Sequence, residues 1–126
     1  MIVEFDELKA LDIWRRATVE SVRLDAPDLS ARQMSLLLSV YLTPAPHTVR
    51  GLANLLKVSK PAITRAVNRL TGLEMVRRKP DPDDKRSVLI QRTVRGSAFL
   101  REFSNLIVTA ANENLYSRDG VLLQRD

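Results

Sequence analysis

Five side chains able to hydrogen-bond to nucleic acid recur within one short stretch of the sequence. They lie between residues 59 and 70 and are Lys60, Thr64, Arg65, Asn68 and Arg69. Spacings of three and four residues place side chains on a common helical face. Arginine can bond guanine twice, asparagine can do the same with adenine, and lysine and hydroxyl groups reach phosphates. The pattern predicts a helix that reads a major groove, although a merely solvated amphipathic helix has a similar composition.

A second cationic cluster follows in a segment typical of a β-hairpin. Residues 77–79 are all basic and precede a polar turn predicted over 80–86, whose last two residues are Lys85 and Arg86. We predict short strands over 75–79 and 87–92 on either side of that turn. A β-ribbon beside a recognition helix can follow the DNA backbone and place an arginine in the minor groove.

Three acidic residues in the same turn, Asp81, Asp83 and Asp84, are unexpected beside DNA. They are explained either as turn formers, whose carboxylates accept backbone amides, or as ion-pair partners that fix a neighbouring arginine. A metal site is disfavoured because no other ligand types lie nearby.

The elements that must hold these residues can be predicted from capping residues and apolar spacing. Two short helices over 48–56 and 59–71, each with a hydroxyl cap and joined by a tight turn, form a helix-turn-helix pattern. Ser59 caps the second helix, and Pro61 falls in its first turn, where a missing amide costs nothing. Its inward-facing side chains are Ile63, Val67 and Leu70.

Longer helices flank this pair. One is predicted from Phe5 to Leu24, a second starts at Ser30 with a capping box to Gln33, and Thr93 caps the last. A short helical piece is predicted over 116–126. The predicted fold class is therefore mainly α with a small β-hairpin wing, a winged helix-turn-helix in the order α-α-α-α-β-β-α.

Composition excludes several classes of function. The 126 residues fit one domain, and the absence of cysteine excludes disulfides and thiolate zinc sites. His47 is the single histidine and is expected on a surface loop, so neither a histidine metal site nor a serine–histidine–acid triad is available. The four glycines are scattered and form no phosphate loop. We therefore expect neither an enzyme nor a bound cofactor or metal.

The positive charge is confined to the middle of the chain. Residues 57–101 carry 12 Lys and Arg against 4 Asp and Glu, a net charge of +8, while the flanks have net charges of −1 and −2. Such a block favours a polyanionic partner. No stretch resembles a membrane span, and the acidic start of the chain does not resemble a secretory signal, so a cytoplasmic location is expected.

Two consecutive motifs carry a family resemblance. The sequence contains A-N-L-L-K-V-S-K-P-A-I-T-R-A-V-N-R-L, followed by V-R-R-K-P-D-P-D-D-K-R-S-V-L-I-Q-R-T. From about Ser30 to Phe103 the chain resembles the multiple-antibiotic-resistance regulator (MarR) family, and the D-P-D-D-K-R wing is the most specific part.

The resemblance implies roles for particular residues. The helix from Ser59 to Leu70 would enter the major groove, and Arg86 would enter the minor groove with Asp84 helping to hold it. Arg78 would be a backbone or supporting contact. Departures from the family pattern are Lys57 and Glu74, which stand where turn glycines are usual, and His47, which replaces an aliphatic residue.

The resemblance also implies an assembly. We expect one winged-helix domain over 1–126, with a DNA-binding lobe over 30–93 and dimerisation helices over 1–26 and 94–126. A homodimeric repressor or activator, with repression favoured, would read a pseudo-palindromic operator. A small aromatic or anionic effector could alter its binding, and binding that is independent of an effector stays open.

Two other classes of function stay open at this point. A winged-helix protein-interaction module would bind duplex DNA weakly and without salt dependence. An enzyme acting on nucleic acids would show metal-dependent cleavage. Trp14, which could line an effector pocket, is expected instead in a core or a subunit interface.

Overall fold

The computed structural model describes residues 7–116, with side chains described through residue 113. The predicted helix start at Phe5 and the predicted piece after residue 116 lie outside these residues. The elements follow the predicted order and are α1 (Glu7–Arg23), α2 (Ala31–Leu42), α3 (Val49–Leu56), α4 (Lys60–Gly72), β1 (Val76–Asp81), β2 (Asp84–Arg92) and α5 (Val94–Tyr116). The predicted fold class is confirmed.

Hydroxyl caps determine where α2, α3 and α5 begin. Ser30 and Gln33 form the predicted capping box at the start of α2. Thr48 Oγ1 accepts the Gly51 amide at 3.0 Å before α3, and Thr93 Oγ1 accepts the Gly96 amide at 2.9 Å in the first turn of α5. Each cap satisfies a backbone donor that has no partner within its helix.

The chain divides into two compact units, and Leu29–Phe99 forms the larger one. Its core consists of apolar side chains from three helices and the hairpin. The largest of them are Leu36, Leu37, Val40, Leu52, Ile63, Val67, Leu70 and Val76. Every element that carries a predicted DNA contact therefore contributes to one shared core.

The wing differs from the predicted hairpin. We expected a long polar turn over 80–86, but the strands continue to Asp81 and from Asp84, leaving Pro82 and Asp83 as the turn. The ladder pairs Pro80 with Val88, and a bulge follows Pro80. Because β1 is the edge strand of this two-stranded sheet, it tolerates a proline that a central strand would exclude.

A backbone contact connects the wing to the segment before α3. Thr48 bridges Leu89, and the Ile90 amide donates to the His47 carbonyl at 2.8 Å. This pairing buries His47, whose side chain we expected on a surface loop, and that expectation is wrong. The ring Nε2 lies 3.2 Å from the Thr43 carbonyl, so the histidine connects the two ends of the loop between α2 and α3.

A second junction joins α2, β1 and the start of α5. The Tyr41 hydroxyl donates to the Met75 carbonyl at 2.7 Å and accepts the Thr93 amide at 2.8 Å. A Cβ added at Gly96 would lie 2.0 Å from that hydroxyl and 2.2 Å from the Met75 carbonyl oxygen. Glycine is therefore required for this close approach.

The smaller unit contains α1 and the part of α5 that starts at Leu100. Trp14 and Phe103 meet edge to face, with ring centroids 5.6 Å apart, and Ala17 and Ala110 are buried nearby in the same unit. Helix α1 keeps large apolar side chains in solvent, and the most exposed are Leu8, Leu11 and Val22. None of the described helices is both long enough and apolar enough to cross a membrane.

Candidate nucleic-acid interface

Helix α4 separates its buried and exposed residues cleanly. Along residues 60–70, two exposed positions alternate with two buried ones, as the helical period of 3.6 requires. The buried side is apolar and consists of Ala62, Ile63, Ala66, Val67 and Leu70. All the residues predicted to contact DNA on this helix are exposed, namely Ser59, Lys60, Pro61, Thr64, Arg65, Asn68 and Arg69.

A tight turn sets α4 against α3. Lys57 adopts a left-handed backbone with φ 57° and ψ 45°, and the Val58 amide donates to the Ala53 carbonyl at 3.1 Å. Ser59 Oγ then accepts the Ala62 amide at 3.2 Å and starts α4. Lys57 thus occupies a conformation that glycine adopts at less cost, as its place at a usual glycine position suggests. Glu74, with φ 62°, does the same before β1.

The predicted wing residues Arg78, Asp84, Lys85 and Arg86 are all exposed. Asp84 Oδ1 accepts the backbone amide of Arg86 at 3.0 Å, and no ion pair between their side chains occurs among the described salt bridges. Asp81 Oδ1 similarly accepts the Asp83 amide at 2.9 Å. These contacts agree with the turn-forming explanation of the acidic residues. Asp84 therefore orients the backbone at Arg86 and leaves the guanidinium available.

One hydrogen bond joins the wing directly to α4. Arg78 Nη2 on β1 donates to the Asn68 Oδ1 on α4, and both side chains are exposed. Neighbouring Arg77 instead donates to Gln91 across the hairpin at 3.2 Å. Successive residues of a strand face opposite sides, so Arg78 faces α4 and Arg77 does not. Arg78 and Asn68 consequently form one polar unit.

A cationic cleft lies between α3, α4 and the wing. Its volume is about 610 Å³, and its charged lining residues are Arg50, Lys60, Asp84 and Arg86. Sequence reasoning missed Arg50, since an arginine in a short helix carries no signal of its own. The bridge between Thr48 and Leu89 brings the first turn of α3 to the wing, and with it Arg50.

Not every cation of the basic middle segment is available to a ligand. Arg92 Nε donates to the Val40 carbonyl at 3.0 Å, and its Nη2 donates to the Thr43 carbonyl at 3.3 Å. The guanidinium also lies over the Tyr41 ring. Arg92 therefore stabilises the C-terminal end of α2, whose last carbonyls have no partner within the helix.

Among residues 7–113, no three histidine or acidic side chains are grouped as metal ligands. The arrangement instead combines the capped helix α4, whose outer side carries exposed hydrogen-bonding groups, with an adjacent hairpin whose basic side chains are exposed. These features define the molecule as a winged helix-turn-helix protein.

The comparisons with known proteins find a family that this chain resembles. Residues 29–88 match the model of the MarR family. The multiple antibiotic resistance protein MarR of Escherichia coli K12 is 34% identical over 80 residues, which are 64% of this chain and 55% of that protein. The match thus spans about half the length of this curated relative. The chain is thus similar to the MarR family over nearly half of its length.

Solved structures show the same fold. A mutant of E. coli MarR complexed with operator DNA has a TM-score of 0.65 and 27% identity, covering 89% of this chain and 76% of that chain. The MepR–DNA complex from S. aureus has a TM-score of 0.70 and covers 87% of each chain. At 16% identity, the second comparison shows the fold alone.

Proposed function

We propose that this protein is a sequence-specific regulator of transcription that binds double-stranded DNA. The observation that carries this proposal is the exposed polar side of α4, set beside an exposed cationic hairpin on one shared core. In this proposal Arg65 and Asn68 read base edges in the major groove. Lys85 and Arg86 grip the adjacent minor groove, where a narrow groove attracts cations.

The likeness to E. coli MarR in complex with operator DNA supports a duplex partner. We propose a homodimer that places two α4 helices in successive major grooves, about 34 Å apart, on a pseudo-palindromic operator. It would act as a repressor, released by a small aromatic or anionic effector. Its place of action would be the cytoplasm, where such a duplex is found.

Selection of duplexes from a random library with the purified protein tests the proposal. We expect an enriched pseudo-palindrome and an affinity that falls steeply as salt rises, because each neutralised phosphate releases counterions. Weak binding without salt dependence would favour a protein-interaction module. Cleavage of the duplex that requires a divalent metal would favour an enzyme.

The role of the wing is tested with Arg86→Ala. We expect it to weaken binding to the selected operator by about 1–3 kcal/mol at fixed salt. Arg32→Ala is the matched control, because Arg32 is an exposed arginine on α2, away from α4 and the wing in the sequence. Equal affinity of the two variants would contradict the assigned role of Arg86.

A further inference from the structure

We propose that the cleft lined by Arg50, Lys60 and Arg86 binds one backbone phosphate of the duplex, with Arg50 as a direct phosphate contact. The inference rests on the proposed function, because the phosphate belongs to the DNA that α4 and the wing bind. It adds a residue from α3 to the interface and gives that residue a role in affinity without sequence preference.

Three separate elements bring their cations to this cleft. Arg50 lies in the first turn of α3, Lys60 is the first residue of α4, and Arg86 lies on β2. The Ile90 amide donates to the His47 carbonyl at 2.8 Å just before α3, so α3 and β2 are joined by backbone contacts. The cleft is therefore preformed in the protein without its ligand.

The electrostatics of the cleft favour an oxyanion. Its lining carries three basic side chains and one carboxylate, a formal net charge of +2. None of the described ion pairs includes Arg50, Lys60 or Arg86. Gathering like charges without counter-charges is unfavourable, and a bound phosphate relieves that repulsion through charge-assisted hydrogen bonds. The first turn of α3 also lines the cleft, where helix amides lack intrahelical partners.

The groove geometry of DNA identifies which phosphate this is. A major groove and its neighbouring minor groove are separated by one sugar–phosphate strand. If α4 occupies the first groove and Arg86 enters the second, that strand passes between them. The cleft lies at this position, with Lys60 of α4 and Arg86 of the wing both in its lining.

Arg50→Ala tests the assignment against Arg32→Ala, which removes the same charge elsewhere. On the selected operator we expect Arg50→Ala to bind roughly tenfold more weakly at moderate salt. The slope of log affinity against log salt should become shallower by about 0.9, the value for one lost phosphate contact. The ratio of affinities for operator and scrambled duplex should stay unchanged, because phosphates carry no sequence information. Arg50→Lys should restore the slope.

Neutral methylphosphonate linkages, introduced one at a time in the operator, locate the contact. At one position on the strand between the two grooves, the substitution should weaken the binding of the wild-type protein more than it weakens the binding of Arg50→Ala, which keeps only Lys60 and Arg86 at that phosphate. If the loss of affinity from the neutral linkage and the loss from Arg50→Ala are additive at every position, the assignment is wrong.

Inorganic phosphate separates this proposal from a site for a free anion. If phosphate raises the melting temperature of the wild type but not of Arg50→Ala, while both bind the operator equally, the cleft holds a small anion and the DNA assignment is wrong. If the wild type binds the operator and Arg50→Ala matches Arg32→Ala in affinity and salt slope, the assignment of Arg50 is wrong and the proposed function still stands. If the wild type shows no salt-dependent duplex binding, the proposed function itself fails.

Discussion

The side-chain oxygen of Asn68 would take part in two hydrogen bonds. Its Oδ1 accepts a hydrogen bond from Arg78, and reading adenine would require that oxygen together with the side-chain amino group. An amide oxygen has two lone pairs and can serve both partners at once. The guanidinium of Arg78 thereby fixes the orientation of the asparagine before DNA arrives. Base preference at this point of the groove should depend on the pair and not on either residue alone.

A double-mutant cycle measures that dependence. Asn68→Ala should alter base preference in a duplex selection. Combined with Arg78→Ala, it should show a coupling energy of about 0.5–1.5 kcal/mol in operator affinity. Arg77 supplies the control, because it bonds Gln91 across the hairpin. The Asn68→Ala and Arg77→Ala pair should be additive, and additivity of the Arg78 pair as well would show that the hydrogen bond has no role in recognition.

At the scale of elements, the helix starts were predictable because each depends on residues three positions apart. The hydroxyls of Ser30, Thr48, Ser59 and Thr93 all accept backbone amides as expected. The exposed side of α4 was predictable for a similar reason, since it follows from the helical period.

Contacts between distant segments were not predictable in the same way. The wing strands extend into the expected turn because each strand supplies the other's hydrogen-bond partners, and that pairing is not local. The burial of His47 and the approach of Arg50 to the wing both follow from the pairing of residues 47–48 with β2. No local pattern around either residue indicates that pairing.

The close packing at the junction of α2, β1 and α5 leads to a prediction about two glycines. Gly96→Ala should destabilise the protein by roughly 1–3 kcal/mol, because a Cβ would collide with the Tyr41 hydroxyl and with a backbone carbonyl that cannot easily move. Gly72→Ala is the matched control, since a Cβ there meets no atom within 4 Å. Urea unfolding measures the free energy of unfolding of both variants, and equal values would contradict the close approach at Gly96.

Helix α1 contains an ion-pair network with a defined pH dependence. Asp12 accepts hydrogen bonds from Arg15 and Arg16, with 2.8 Å salt-bridge contacts to each. Burial acts to raise the pKa of Asp12, but the two guanidinium groups outweigh it, so the pKa lies below the ordinary value. A lowered folded pKa means that the stabilisation is complete above the unfolded pKa and is lost as pH falls through the folded one.

Asp12→Asn should therefore destabilise the protein by about 0.5–1 kcal/mol near neutral pH. The difference from wild type should vanish in strong acid, below the ordinary range of aspartate. Asp83→Asn, at an exposed carboxylate in the wing turn, is the control and should change little at either pH. Denaturant unfolding near neutral pH and in strong acid measures the stability of each variant. If Asp12→Asn is still less stable than wild type in strong acid, the ion pairs of Asp12 do not explain the difference.

At the scale of the whole molecule, charge and apolar surface are separated along the chain. The unit Leu29–Phe99 holds α4 and the wing, whereas α1, in the other unit, exposes large apolar side chains. Leu8, Leu11 and Val22 are 55%, 67% and 69% exposed and lie on one side of α1, in an apolar stripe that Arg15 interrupts. Exposed apolar side chains on one side of a helix are typical of a surface that another chain covers. In the homodimer that we propose, a second copy would cover them.

In the proposed homodimer, Leu11→Glu should therefore shift the equilibrium from dimer to monomer. Burying a carboxylate where a leucine packs removes about 1.5–3 kcal/mol of apolar transfer energy and adds desolvation, so the dimer dissociation constant should rise at least about tenfold. Leu42→Glu makes the same chemical change at a leucine that is 76% exposed at the end of α2, outside the predicted dimerisation helices, and it should leave the dimer intact. Sedimentation equilibrium measures the dissociation constant of both variants. Because a monomer can engage only one half-site, Leu11→Glu should also bind the full operator no more tightly than an isolated half-site, while Leu42→Glu keeps the wild-type difference. A wild-type protein that sediments as a monomer, or a Leu11→Glu variant that remains dimeric, would show that this stripe is not the subunit interface.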